Sequence, residues 1–235
     1  MKTIKQNLLL TITSLILCSC IIDEIGSSSN TNITFVAYWK DDILDYQDFK
    51  NSIIVENDTL SLKNLNYVIS NLKLISQSDT INVIDYKLMK SFDNLNIENV
   101  RNEVYRISFN FGIEDVNNNF PQLKAQNFDI EEGYYYIKMS FRKKGNDSLY
   151  NYNIAKKSNN SLIKSFKVNI DGFKPTNGYI GSKAVIGLNL KNLFIKSNHI
   201  NIDSLTTNNV HNENLQIKMT ENAQNIFYLE KFQYD

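Results

Sequence analysis

An antiparallel β-sandwich closed by a short C-terminal helix is the fold class that the sequence predicts, and three observations predict it. Apolar and polar residues alternate at period two in segment after segment, Asn, Gly and Ser turn signals separate those segments, and helical spacing is confined to the end of the chain. Seven or more such segments argue for stacked antiparallel sheets rather than alternating strands and helices. With 235 residues, 42% of them hydrophobic and 21% charged, the composition suits one globular domain with a single core.

The chain opens with a targeting pattern. Lys2 and Lys5 give a basic start, and Leu8 to Leu17 form an apolar run broken only by Thr and Ser, too short for a stable membrane span. It ends in Leu17-Cys18-Ser19-Cys20, with a branched apolar residue three positions before Cys20 and a small one directly before it. Cys18 does not fit the same pattern, because Leu17 is too large for the small-residue slot. Residues 1–19 are therefore expected to be a lipoprotein signal peptide, with Cys20 the lipidated first residue of the mature bacterial protein. Each methylene of an acyl chain buried in a bilayer contributes ~0.8 kcal/mol, and two or more chains make the anchoring stable. The expected place is the cell envelope, on the outer membrane, with Cys20 as the membrane contact. Cleavage leaves Cys20 as the only cysteine, which excludes a disulfide framework and a cysteine-based zinc site.

Residues 20–31 follow as a Ser- and Asn-rich stretch without periodicity, the composition of a flexible tether. The β-domain is then expected over 32–235. Ile33, Phe35 and Ala37 begin it; Tyr67 and Ile69, then Leu72 and Leu74, continue it. Tyr105, Ile107, Phe109 and Phe111 alternate with Arg106, Ser108 and Asn110 as the cleanest half-buried strand. Tyr135 to Arg142, Tyr150 to Ile154, Phe166 to Ile170 and Ala184 to Leu190 close the series. Leu215, Met219, Asn222 or Ala223, and Ile226 recur at helical spacing, which predicts the C-terminal helix ending near Phe227.

Charge and motif content narrow the function. The 25 basic and 25 acidic residues cancel, so nucleic acid is not an expected partner. Arg142, Lys143 and Lys144 make the densest basic run, which reads as a solvated strand end. No nucleophile motif, metalloprotease motif or phosphate loop is present, and Glu131-Glu132 and Asp41-Asp42 are neighbours whose side chains diverge. Asp115 begins like a calcium loop, yet Phe120 stands where the sharp turn needs Gly and Gln126 where the bidentate Glu belongs. No enzyme activity is expected. The candidate metal ligands are His211 and His199, both in polar loop-like contexts, with Met139 as a soft donor for copper. Tyr135, Tyr136, Tyr150 and Tyr152 offer a different site, an aromatic platform for a sugar or a protein surface.

The order of segments carries a resemblance. LKNLNYVISNLKLI, YRISFNFGIEDVNNNF, EEGYYYIKMSFRKKG, SLYNYNIA and NVHNENLQIKMTENAQNIF follow one another as do the blocks of the MbnP-like copper-binding family, which includes many bacterial lipoproteins. The resemblance covers roughly Asn32 to Phe232, and it is most specific at Tyr67 to Leu74, at Phe109 to Ile113 and at Asn222 to Phe227. It implies a β-sandwich and a copper site built from histidine and tryptophan side chains. Relatives tend to carry Trp or His where this chain has Tyr135 or Tyr136, and His-x-Gly where it has Asn153-Ile154-Ala155. Its single tryptophan, Trp39, lies in the first strand region. The expectation is thus a lipid-anchored binding or accessory module with a degenerate metal site and an unidentified protein or glycan partner. A copper-binding protein using the remaining histidines and a carbohydrate- or protein-binding surface adhesin are the alternatives.

Overall fold

A computed structural model describes residues 28–39, 42–43, 52–55, 58–101, 105–159, 163–172, 182–205 and 209–234. Residues 1–27, which take in the expected signal peptide, Cys20 and most of the expected tether, lie outside the described residues. In chain order the strands are β1 (Ser28–Trp39), β2 (Asp42–Ile43), β3 (Ser52–Val55), β4 (Asp58–Ile75), β5 (Thr80–Lys90) and β6 (Phe92–Arg101). They continue as β7 (Arg106–Phe111), β8 (Asp129–Ile130), β9 (Gly133–Lys143), β10 (Leu149–Lys157), β11 (Phe166–Asp171), β12 (Ser182–Asn189) and β13 (Phe227–Tyr234). Helix α1 (Pro121–Ala125) precedes β8, while α2 (Asn192–Ile195) and α3 (Glu213–Ala223) lie between β12 and β13.

The strands form two sheets. One runs β13-β12-β1-β2, with β6 also on β1; the other runs β10-β9-β4-β7-β11, with β3 and β5 on the opposite edge of β4 and β8 on β9. Pairing is antiparallel except between β1 and β12, which lie parallel from Thr31↔Ser182 to Tyr38↔Asn189. A parallel pair needs a long crossover, and here residues 40–181 intervene. β1 begins at Ser28, inside the stretch that the sequence assigned to the tether.

Phe35 of β1 meets Phe109 of β7 edge to face at 5.5 Å. Phe227 of β13 reaches across to Tyr67, Phe109 and Phe111, at 6.1, 5.1 and 5.5 Å. Such pairs contribute about 0.5–1.5 kcal/mol each beyond area burial, so these few rings fix how the sheets stack. The expected helix is there, but it stops at Ala223; Phe227 starts a final strand paired with β12.

β4 organises the second sheet because it is long enough to hold two partners in tandem along one edge. Leu60 to Tyr67 pair with β9, and Ile69 to Ile75 pair with β7. At the seam Gly112 N–H donates to Val68 O at 2.8 Å, and Ser70 Oγ donates to Gly112 O at 2.6 Å. A bulge at Asn71, whose φ is 51°, explains why the apolar period slips between Ile69 and Leu72.

Candidate functional site

The tyrosine-rich hairpin β9–β10 holds Met139 and the four tyrosines that the sequence singled out, while His199 and His211 lie outside it. Along the hairpin Ile154 pairs with Ile137 and Ala155 with Tyr135, so Tyr136 is an extra, unpaired residue in β9. Such a bulge reverses the side-chain alternation. Ile137, Met139 and Phe141 face the core on one side of it; Tyr134 and Tyr136 face the core on the other, while Tyr135 is left half-buried on the outer face.

Tyr136 ends at the seam of the sheet. Its hydroxyl donates to Ile113 O at 2.7 Å, and its ring occupies the space beside Gly112, where a Cβ would lie 2.5 Å from ring carbons. Gly112 also has φ +85°, so both the conformation and the close approach call for glycine. Burial pushes the Tyr136 hydroxyl up from its ordinary pKa. Tyr135, by contrast, carries Lys138 Nζ 4.8 Å above its ring and meets Phe128 edge-on at 6.0 Å.

The two tyrosines of β10 also split. Tyr150 stacks on Phe141 at 5.8 Å with nearly parallel rings and remains half-buried. Tyr152 is fully enclosed, donates from its hydroxyl to Leu193 O at 2.8 Å, with Met219 O at 3.3 Å, and is held protonated by burial. The four-ring platform is therefore corrected: Tyr136 and Tyr152 belong to the core, because their hydroxyls find backbone carbonyls inside it.

Behind the hairpin the edge of β10 is sealed by side-chain amides. Gln216 of α3 accepts from Ala155 N at 3.0 Å through Oε1, and its Nε2 donates to Asn153 O at 2.7 Å, with Asn209 O at 3.3 Å. A carbonyl at one position and an N–H two positions on face the same way along a strand, so this primary amide stands in for a residue of a missing neighbour strand. Asn209 Nδ2 donates to Asn151 O, and Asn151 N donates weakly to Leu205 O at 3.4 Å. A strand edge that would otherwise invite pairing with another chain is covered. The helix is positioned for this by its own N-cap, where Asn212 Oδ1 accepts from Leu215 N at 3.1 Å. It is tied at its other end by Asn222, which accepts from Ser197 N and Asn198 N and donates to Leu193 O and Asn198 O, all at 2.7–2.9 Å.

The expected metal ligands do not converge. Met139 is enclosed in the core, cross-paired with Leu65 and Tyr152. His211 is exposed on the 3-10 turn Asn209–His211, and His199 is exposed on the loop after α2. Among the described residues no three His, Cys, Asp or Glu side chains gather as an ion-holding group. Asn153, at the position where the resemblance implies a histidine, is buried beside Gln216, and the amide of Gln216 is already engaged on both ends. This donor set does not fit copper, which takes imidazole and soft sulfur rather than engaged amides.

Comparison with known proteins places the architecture. The family model MbnP matches residues 28–228. The solved structure described as "MbnP from Methylosinus trichosporium" shares the fold with a TM-score of 0.51 at 8% identity, covering 71% of this chain and 78% of that one. Among curated protein sequences none matches this chain. From Ser28 in β1 to Tyr228 in β13, the chain belongs to the MbnP family.

Proposed function

We propose that this chain is a lipid-anchored, non-enzymatic binding module of the bacterial cell envelope, attached through Cys20, in which the family's metal role has been lost. The observation that carries the reading is the engagement of Gln216 along β10. Where the resemblance implies a histidine stands Asn153, whose backbone carbonyl fastens a helix, and Ala155 two positions on is fastened by the same side chain. A metal centre needs free donor atoms arranged around one point, with outer partners that orient them. Here the buried amides hold the backbone instead. The anchoring half of the reading rests on the Leu17-Cys18-Ser19-Cys20 pattern.

The test uses the full chain expressed in a bacterial host with an alkyne-tagged fatty acid. The expected result is label on the wild type, none on Cys20→Ala, and purified membrane-bound protein that carries no stoichiometric copper or zinc. Label retained by Cys20→Ala would contradict the anchor. Stoichiometric metal in the purified protein would contradict the lost metal role.

A further inference from the structure

The far end of the same sheet carries a cleft of about 560 Å³, within the size range of small-ligand sites. Its walls come from the start of β4 and the end of β9, where Ser61 pairs with Arg142 and Leu60 with Lys143. Leu60 and Phe141 turn inward, so Thr59, Ser61 and Arg142 line the outer side. A bulge between Leu62↔Phe141 and Asn64↔Ser140 makes Lys63 an extra residue, and this re-aims it into the same cleft.

Not all the basic residues here are available. Lys143 Nζ is 2.9 Å from Asp58 and 3.4 Å from Asp203, and the hydrogen bond to Asp58 is the first cause of its raised pKa. Those two acids thereby answer Lys143 and leave Arg142 and Lys144 unanswered. Among the described residues no carboxylate pairs with Arg142 or Lys144, and both are exposed. Asp147 is the acid in the lining, set against Arg142 and Lys144. A concave, hydroxyl-lined pocket with an excess of cations concentrates anions. A guanidinium fork with an ammonium group and two hydroxyls matches a group presenting three or more acceptor oxygens, which is phosphate rather than carboxylate.

We propose that this cleft is a phosphate-ester site, with Arg142 as the bidentate grip, Lys144 as a flanking charge, and Thr59 and Ser61 as hydroxyl donors. The ester could come from a phospholipid headgroup or from a soluble phosphorylated saccharide. Both present the same phosphate, and they differ in being a diester or a monoester.

The test is calorimetric titration of the full chain in a neutral detergent with glycerophosphoglycerol, a deacylated lipid headgroup, and separately with glucose 6-phosphate. Saturable binding of at least one is expected, weakened about tenfold or more in R142A/K144A and less in Arg142→Lys, which keeps the charge but loses the fork. Preference for the diester assigns the lipid source, and preference for the monoester the saccharide. Both side chains are exposed, so the double variant is expected to melt as the wild type does. Absence of saturable binding to either probe, or equal affinity in wild type and R142A/K144A, would overturn the proposal.

Discussion

The side-chain amide of Gln216 and the backbone of Ala155 meet at 3.0 Å, and with the 2.7 Å bond to Asn153 O this fastens α3 to the edge of β10. Each bond alone is modest, but each partner is buried. Gln216→Leu fills the space and strands an N–H and a carbonyl, at a cost of about 1–3 kcal/mol per unsatisfied group. Urea denaturation is expected to show a loss of at least about 2 kcal/mol. A change within about 0.5 kcal/mol would mean that water or a shifted helix replaces the amide.

The contact between Gly112 and Tyr136 gives a second expectation. Gly112→Ala must accept a positive φ and push a ring that lies 2.5 Å from the new carbon. Overpacking of this kind costs about 1–3 kcal/mol, and the backbone strain adds to it. Combining it with Tyr136→Leu separates the two causes: the double variant should recover the steric part and keep the conformational part. Strictly additive losses in thermal melts would show that the ring is not what excludes the side chain.

Three buried tyrosines should respond differently to losing a hydroxyl. Tyr136 and Tyr152 each donate to a carbonyl, whereas Tyr67 Oη has no hydrogen-bond partner among the described residues. Phe at 136 or 152 should cost about 0.5–1.5 kcal/mol, and Tyr67→Phe should be neutral or stabilising. Calorimetric melting of the three variants checks the ranking, and equal destabilisation by all three would place an unseen water on Tyr67.

The same rings set a pH dependence. Burial raises the pKa of Tyr67, Tyr136 and Tyr152, so in the folded chain they stay neutral where unfolded tyrosine ionises, near ~10. A group with a raised folded pKa contributes its full stability below the unfolded pKa and loses it as pH rises. Stability should fall above pH ~10 by about 1.4 kcal/mol per pH unit for each ring. Tyrosinate absorbance from these rings should appear together with loss of the far-ultraviolet β signal. Their ionisation in a still-folded chain would contradict the burial.

How much of this was legible in the sequence depended on where the chain keeps its period. The clean alternation of Ile107, Phe109 and Phe111 against Arg106, Ser108 and Asn110 is β7 as observed, whereas Tyr105, expected to begin it, stands exposed just before the strand. β5 and β6 were missed because each carries a bulge. In β5 the period slips at Val83 and Ile84, and in β6 the buried Leu95, Ile97 and Val100 are spaced by two and then three. β13 was absorbed into the helix because Ile226 continues a helical spacing past the break after Ala223.

The site was less legible than the fold. Asn is frequent here and mostly reads as turns, and nothing local marks Gln216 and Asn209 as buried, whereas Asn222 shares the helical spacing of Leu215 and Met219. The available sign was an amide on the same helical face as Met219 and Ala223, the face that turned out to be buried. In the run Tyr134-Tyr135-Tyr136 the rings lie on both faces, and only a bulge could tell which of them turn inward.

Copper titration of the detergent-solubilised full chain, wild type against His211→Ala, tests the central claim most directly. With Asn153, where the resemblance implies a histidine, on an amide-sealed strand edge, Cu(I) and Cu(II) should bind only weakly, and His211→Ala should change nothing. Stoichiometric submicromolar binding that His211→Ala abolishes would contradict the account and restore a metal centre to this chain.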